Sequence, residues 1–388
     1  MYPTISDLLK DLLGINIPLP IQSFGFFVAI SFLLAAYTLT LELKRKENLG
    51  LLKPVLKKRL TGEPAKAWEL IFSGAIGFII GFKLVHFIFN YRDLVANPQQ
   101  ALLSTDGNLV GGILAAAGSV YLKYKEKEKT KKEKPEWVEE TVHPFQLVGS
   151  ITMVSAVAGL IGAKIFHNLE NIDDFMKDPF DALVSFSGLT MYGGLIVGGA
   201  AVIWFGIKNG IPTLHNCDGN APGLMLAYGF GRIGCQVAGD GDWGIVNASP
   251  KPGWMSFLPD WFWSYRFPHN VVNEGIPIPN CEGHHCFMLE HPVFPTPLYE
   301  SIICIALFFF LWGMRKKFTT PGMMFSVYLL LNGVERFLVE QIRVNTKYHV
   351  AGIEFTQAQL ISLCLILLGT FGIFYLRAKA QKTQSRLP

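Results

Sequence analysis

The sequence predicts an all-α protein, a polytopic transmembrane helical bundle with a small extracytoplasmic loop or head segment. Three observations carry this. Half of the 388 residues are hydrophobic, and the mean hydropathy is +0.32. Only 16% are charged, against about 25% in soluble domains, too few to cover a water-facing surface. Apolar runs also recur that are long enough to cross ~30 Å of hydrocarbon, which takes roughly 17–25 residues. The same composition excludes disorder and fibrous repeats. A net charge of +4 makes no case for nucleic acid, and six Cys in a chain this long do not form a disulfide scaffold.

Residues 1–19 lack a basic start and a small-residue cleavage site, so no signal peptide is expected. The amphipathic run from Ile5 to Ile15 is expected to lie along the membrane surface. Nine spans follow, at about 20–42, 68–90, 105–122, 144–168, 188–207, 221–239, 297–314, 321–341 and 356–376. The third is short and carries Gly107, Gly111, Gly112 and Gly118. With the N-terminus outside, 23 of the 34 Lys and Arg fall on inner segments and 7 on outer ones. Cytoplasmic loops carry that bias, so the N-terminus is expected outside and the C-terminus inside.

Five segments result: 1–66, with the surface run, first span and basic inner loop; 67–140, the first of two similar hairpins and a charged linker; 141–239, the second hairpin and an arginine-bearing span; 240–296, a Trp- and Pro-rich outer head or lid; and 297–388, three spans and a basic tail. The run from Lys125 to Lys134 reads as a solvated helix extension or linker, with an anionic-lipid contact as the alternative.

Four cations remain inside spans: Lys83, Lys164, Arg232 and Arg336. Each costs roughly 2.5–3.5 kcal/mol at the bilayer centre, so they are expected to face a polar interior, or, for the two Lys, to snorkel to the interface. Arg336, Glu340 and Arg343 fall at i, i+4 and i+7, one face of a helix. Two Arg against one Glu leave a guanidinium in excess. With Arg232 from another span, the interior would present fork-shaped donors suited to phosphate. A structural ion ladder is the alternative. The implied ligand is an anion at membrane depth, with a phospholipid headgroup the first candidate.

Gly81, Lys83, His86, Asp93 and Pro98 recur as Gly162, Lys164, His167, Asp174 and Pro179. One residue later in register, Gly111-Gly112 recurs as Gly193-Gly194. The repeat is parallel, an arrangement also found in transporters. The stretch Gly229 to Gly244 ends the sixth span in a glycine-rich break that holds Arg232, Cys235 and Asp240; Asp240 and Asp242 are also ordinary turn formers. Beyond it, Trp243, Trp254, Trp261 and Trp263 suit a head resting on the bilayer. Cys281 and Cys286 flank His284 and His285. A local disulfide is expected there, with a zinc site as the alternative.

Taken together and in order, GLTMYGGLIVGG, APGLMLAYGFGRIGCQVAGDGDWG, PTPLYES, GMMFSVYLLLNGVERFLVEQIR and TQAQLIS closely resemble the bacterial prolipoprotein diacylglyceryl transferases. The opening SFGFFVAISFLLAAYTLTLELKRK resembles that family's first span. The family usually has seven spans, and a duplicated hairpin would account for nine. The resemblance implies a bacterial inner-membrane enzyme that passes the diacylglyceryl group of phosphatidylglycerol to the lipobox cysteine of a preprolipoprotein, releasing glycerol phosphate. It implies no metal and no cofactor.

By motif, the resemblance makes Arg232 and Arg336 catalytic. It sets Tyr299, Glu300, Glu340, Arg343 and Gln359 in or near the cavity, and Phe24-Gly25 where the family has Tyr-Gly. Gly193 and Gly194 belong to the substrate-binding set, as does Cys235, which stands where the family has Asn. Tyr192 replaces the family's histidine, Asp240 stands where Glu is common, and one extra residue precedes Gly244. The base is therefore left open among Tyr192, Asp240 and His167, or the arginine field alone. An anion or lipid transporter and a non-catalytic lipid-binding relative are the competing functions.

Overall fold

The computed structural model describes residues 1–384 except 16, 97, 185–187, 351 and 352. It is mostly helical, with short antiparallel strand pairs. The amphipathic N-terminal segment forms α1 (Ile5–Leu13), closed by a capping box between Thr4 and Asp7 and ended by Gly14 in the left-handed region. The longer helices are α2 (Ser23–Asn48), α3 (Ala67–Phe89), α6 (Leu109–Thr130), α7 (Val148–Glu170), α10 (Met191–Lys208), α11 (Thr213–Ala238), α12 (Thr296–Met314), α13 (Met323–Val339) and α14 (Gln357–Gln384). They lie where the nine apolar runs were expected.

Six are long and apolar enough to cross a membrane: α2, α3, α7 with its lead-in from Pro144, α10, α12 and α14. The other three are more polar or shorter. Helix α6 ends in the KEKEKT run, α11 carries Asn216, Asp218, Asn220 and Pro222 in its first half, and α13 has 17 residues.

The duplication is visible in three dimensions. Helix α3 leads into the short helices α4 (Tyr91–Ala96) and α5 (Pro98–Leu103) before α6 returns; α7 leads into α8 (Ile172–Lys177) and α9 (Pro179–Val184) before α10 returns. Each pair closes on glycines. A Cβ on Gly193 would lie 2.5 Å from the Gly162 carbonyl oxygen, and one on Gly111 would lie 2.8 Å from that of Gly81. Such small-residue contacts let helix backbones approach where lipid supplies no hydrophobic drive. In both copies an Asn caps the first long helix, Asn90 on the His86 carbonyl at 3.1 Å and Asn171 on that of His167 at 3.0 Å.

Lys83 does not snorkel freely. Its ammonium donates to the carbonyls of Ala101 and Asp106 at 3.0 Å and to that of Ser104, tying off the turn after α5. Lys164 is buried. The repeated Asp93 lies outside the described side chains.

The first hairpin is bracketed by strands β1 (Val55–Thr61) and β2 (Glu136–Val142), which pair antiparallel. The basic run extends α6 and forms ion pairs, Lys123–Glu126 at 3.0 Å on the surface and the part-buried Lys127–Glu69 at 2.9 Å among them. Packing within the bundle centres on α11, which lies against α2, α12 and α13. Ala221, Met225, Cys304, Phe308, Leu311 and Tyr328 form its apolar centre.

The head segment folds over a cluster of Trp243, Phe267, Leu289 and Val293. It contains β3 (Ile276–Pro277) paired with β4 (Phe287–Met288), and the Cys281–Cys286 disulfide takes both thiols that a zinc site would need. Trp243 packs inside the head, whereas Trp254 and Phe257 are exposed. The last strand pair, β5 (Lys347–Val350) and β6 (Ile353–Thr356), leads into α14.

Replacing Gly193 by Leu should hold α10 off α7, because a Cβ there would meet Phe166 Cβ at 2.4 Å and the Gly162 carbonyl oxygen at 2.5 Å, atoms fixed to the α7 backbone. Overpacking of this kind costs about 1–3 kcal/mol. The expected outcome is a lower melting temperature in detergent, while the same change at Gly199, which has open space around it, is tolerated.

Candidate functional site

The site grows from the outer end of α11. Gly229 lets α11 approach α12 closely, since a Cβ there would meet Ser301 O at 3.2 Å and Cys304 Cβ at 3.2 Å. One turn later in α11, Arg232 therefore faces Glu300, one residue before Ser301. Arg232 Nε lies 2.6 Å from Glu300 Oε2, and the Glu300 side chain is fully buried. Tyr228, one turn before Arg232, donates its hydroxyl to the same oxygen at 2.6 Å, and its ring lies 5.2 Å beneath the guanidinium.

The second arginine arrives from α13. Arg336 Nη1 lies 3.5 Å from Glu300 Oε2, and its Nη2 lies 3.1 Å from Glu340. Glu340 is held in turn by Thr356, whose hydroxyl donates at 2.7 Å, and by Asn345 at 2.5 Å. Thr356 caps α14 in a reciprocal pair with Gln359: Gln359 N donates to Thr356 Oγ1 at 3.1 Å, and Thr356 N to Gln359 Oε1 at 3.0 Å. Gln359 thus bears on the site through Thr356 and Glu340.

The alternative reading, an ion ladder along Arg336, Glu340 and Arg343, is met only in its first pair, Arg336 with Glu340. Helix α13 stops at Val339, and residues Glu340–Ile342 form a tighter 3-10 turn, which shifts the residues beyond it off the α-helical face. Arg343 is instead turned to Glu300 Oε1 at 2.8 Å and to Asp242. Asp242 also pairs with Arg232. Its place is set by backbone pairing: Gly244 bridges Arg343, Ile245 N donates to Ile342 O at 2.8 Å, and Thr296 Oγ1 donates to the Asp242 carbonyl at 2.8 Å. A Cβ on Gly244 would lie 2.5 Å from Ile342 O, so only glycine fits this crossing.

Asp242, read from the sequence only as a turn former, therefore joins the arginines rather than the candidate Asp240. Asp240 lies beside it: Cys235 Sγ and the Asp240 and Asp242 carboxyl oxygens are within 4.8 Å of one another. Burial, then the Asp242 charge, pushes the Asp240 carboxyl above its ordinary value. Burial acts on Asp242 the same way, but Arg232 and Arg343 outweigh it and hold that carboxyl below the usual range.

The guanidinium excess inferred from Arg336, Glu340 and Arg343 is also corrected. Arg232, Arg336 and Arg343 meet Glu300, Asp242 and Glu340 in ion pairs, and Glu335 is buried beside them. The balancing acids come from α12 and the turn after α11, which a pattern along one helix does not reveal. Even so, Arg232 Nε, Arg336 Nη1 and Arg343 Nε complete no well-aligned hydrogen bond. These forks sit in ion-pair contact with donor directions to spare, an arrangement able to take a tetrahedral oxyanion in exchange for a carboxylate.

Other candidates lie apart from this network. Gly193 packs α10 on α7, and Gly194 lies against the Gly159 carbonyl. Tyr192 begins α10 and makes no hydrogen bond among the described residues. Tyr299 donates to Phe262 O at 2.7 Å and anchors the head. Phe24 is 45% exposed, and its backbone carbonyl packs where a Cβ on Gly234 would stand. The His167 backbone carbonyl accepts from the Asn171 side chain at the second hairpin's turn.

Three participants escaped the sequence reading. Tyr228 carried a usable signal, four residues before Arg232 on the same helix face. Glu335 was legible as an anion inside a span, since only cations were counted there. Asp242 had no signal separating it from Asp240.

The family model described as prolipoprotein diacylglyceryl transferase matches residues 112–375. Curated relatives carry the name phosphatidylglycerol–prolipoprotein diacylglyceryl transferase. One from Clostridium tetani is 28% identical over 57% of this chain and 78% of its own length. One from Leptospira interrogans is 27% identical over 61% and 80%, and one from Corynebacterium diphtheriae is 28% identical over 62% and 81%. The match begins within α6, so α3 to α5 lie ahead of it.

Glu300→Ala should cost about 3–5 kcal/mol, the usual penalty for stranding buried partners of an ion pair, read as a drop in thermal stability. Because Asp242 is held below its ordinary value, its contribution is present above the unfolded carboxylate value and is lost as pH falls through the lower folded one. Asp242→Asn should flatten that acid side of the stability profile.

Proposed function

This chain belongs to the prolipoprotein diacylglyceryl transferase family, and we propose that it transfers the diacylglyceryl group of phosphatidylglycerol to the lipobox cysteine thiol of a preprolipoprotein. The S–H bond and the glycerol C–O bond to phosphate break, an S–C thioether forms, and glycerol phosphate leaves with the bonding pair. The observation that carries this reading is the meeting of Arg232 and Arg336 at one buried carboxylate oxygen, 2.6 Å and 3.5 Å from Glu300 Oε2.

Two forks aimed at one point suit a phosphate, whose oxygens accept from both. On arrival the phosphate exchanges with Glu300 and Asp242, and the guanidiniums then stabilise the charge that builds on the departing oxygen. Arg343 and Glu340 keep the two forks at their angle. Thiol attack needs a base. Asp240 is our assignment: its raised proton affinity makes it a stronger base than an ordinary carboxylate, and it lies beside Asp242 in the site. Tyr192, near the outer end of α10, serves substrate positioning together with Gly193, Gly194, Cys235 and Phe24 along the lipid path.

The nine long helices are proposed to span the bacterial inner membrane, N-terminus outside and C-terminus inside. The head over residues 240–296 then lies on the outer face, where Trp254 and Phe257 meet the bilayer. That places the arginine cluster near the outer leaflet, within reach of a lipobox peptide emerging from the membrane.

Purified protein incubated with phosphatidylglycerol and a lipobox peptide should add one diacylglyceryl mass to the peptide; an unchanged mass sinks the reading. Arg232→Ala and Arg336→Ala should each lower transfer by about 10²–10³-fold. Arg336→Lys should fail nearly as badly, because charge without the fork does not clamp two oxygens. The acid limb of kcat/KM should lie above the ordinary carboxylate range and disappear in Asp240→Asn.

A further inference from the structure

Of the two acids in this cluster that the ion pairs leave over, Asp240 and Glu335, Glu335 is the buried one. It sits in α13 next to Arg336 with 3% exposure. Both of its carboxyl oxygens are buried without a hydrogen-bond partner. Among the described residues, no guanidinium or ammonium nitrogen reaches ion-pair distance of it, whereas Glu300, Glu340 and Asp242 all have one. The charges that act on it are Glu300 of α12, Arg336 of its own helix, Arg232 of α11 and Arg343 beyond α13. Cys304 of α12, Tyr228 of α11 and Tyr328 of α13 are the other titratable groups facing it.

The charge count then assigns a proton. Three guanidiniums are matched in ion pairs by Glu300, Glu340 and Asp242. A further carboxylate beside Glu300, buried and unpaired, carries a desolvation cost of several kcal/mol or more, which proteins avoid by neutralising the group. A fixed amide or an apolar residue would have avoided the problem; a carboxyl in its place can give up what it holds.

We propose that Glu335 stores one proton in the resting site and donates it to the phosphate oxygen of the departing glycerol phosphate. The step balances within the reaction proposed above, on which it rests. The thiol proton passes to Asp240 as the S–C bond forms. The C–O bonding pair leaves on the phosphate, and the Glu335 proton joins that oxygen. The new Glu335 carboxylate lies in the field of Arg336 and Arg232 as their phosphate partner departs, and Glu300 and Asp242 return to the guanidiniums. Glu335 then regains a proton from solvent and Asp240 loses one to it.

Glu335→Gln tests this, because the amide keeps the shape and the neutral charge and lacks only the transferable proton. Transfer to a lipobox peptide from phosphatidylglycerol vesicles should show kcat lowered by about 100-fold, KM for the lipid within about two-fold of wild type, and the alkaline limb of the kcat profile abolished. Wild-type kcat with an unchanged limb overturns the proposal, and so does a change confined to KM. If Glu335→Gln does not fold, Glu335→Asp replaces it: an active enzyme with a displaced alkaline limb supports the proton store, and an unmoved limb refutes it. A wild-type protein that forms no thioether would overturn the transferase reading and this proposal together, whereas an active wild type with an equally active Glu335→Gln overturns this proposal alone.

Discussion

A single buried carboxylate organises the functional end of this protein. Glu300 receives Arg232 from α11, Arg336 from α13, Arg343 from the segment beyond it, and the Tyr228 hydroxyl. Taking one carboxylate out of water costs several kcal/mol even after relaxation, and only well-placed cations and donors offset it. The surrounding irregularities follow from that demand. Gly229 brings α11 close enough for Arg232 to reach, the 3-10 turn at Glu340–Ile342 swings Arg343 inward, and the Gly244–Arg343 bridge delivers Asp242 as counter-charge.

The same arrangement reconciles tight pairing with ligand binding. Guanidiniums held by carboxylates are not free, and they are preorganised at the position where the proposed reaction sets its phosphate. Exchange of one oxyanion for another leaves the number of charged contacts nearly constant, so the proposed entry of a lipid headgroup exposes no bare cations. The chain of Gln359, Thr356 and Glu340 extends this preorganisation to the start of α14.

Around that centre the bundle is modular. The second hairpin, α7 to α10, lies within the region that matches the family, whereas α3 to α5 of the first precede it. Both copies use the same devices: glycine-to-glycine approach of the long helices, an Asn cap after a His, and two six-residue helices at the turn. The β1–β2 pairing brackets the first hairpin.

The helices were legible in the chain because lipid imposes a one-dimensional test, a run of apolar residues of sufficient length, that each segment meets or fails alone. The arginines were legible because a cation inside such a run has few reasons to be there, and the family motifs named most of their companions. The turn beyond Arg232 offered two aspartates with equal local credentials, and only the backbone bridge between Gly244 and Arg343 chose Asp242. The ladder from Arg336 to Arg343 failed because an α-helical period was extended past the point where the backbone tightens. The charge balance of the site was invisible for the same reason, since its acids come from α12, α13 and a loop. Sequence by itself determined where the long apolar helices lie and which cations within them must find partners. The tertiary structure decided who those partners are, because ion pairing depends on distances across helices, which no spacing along the chain records.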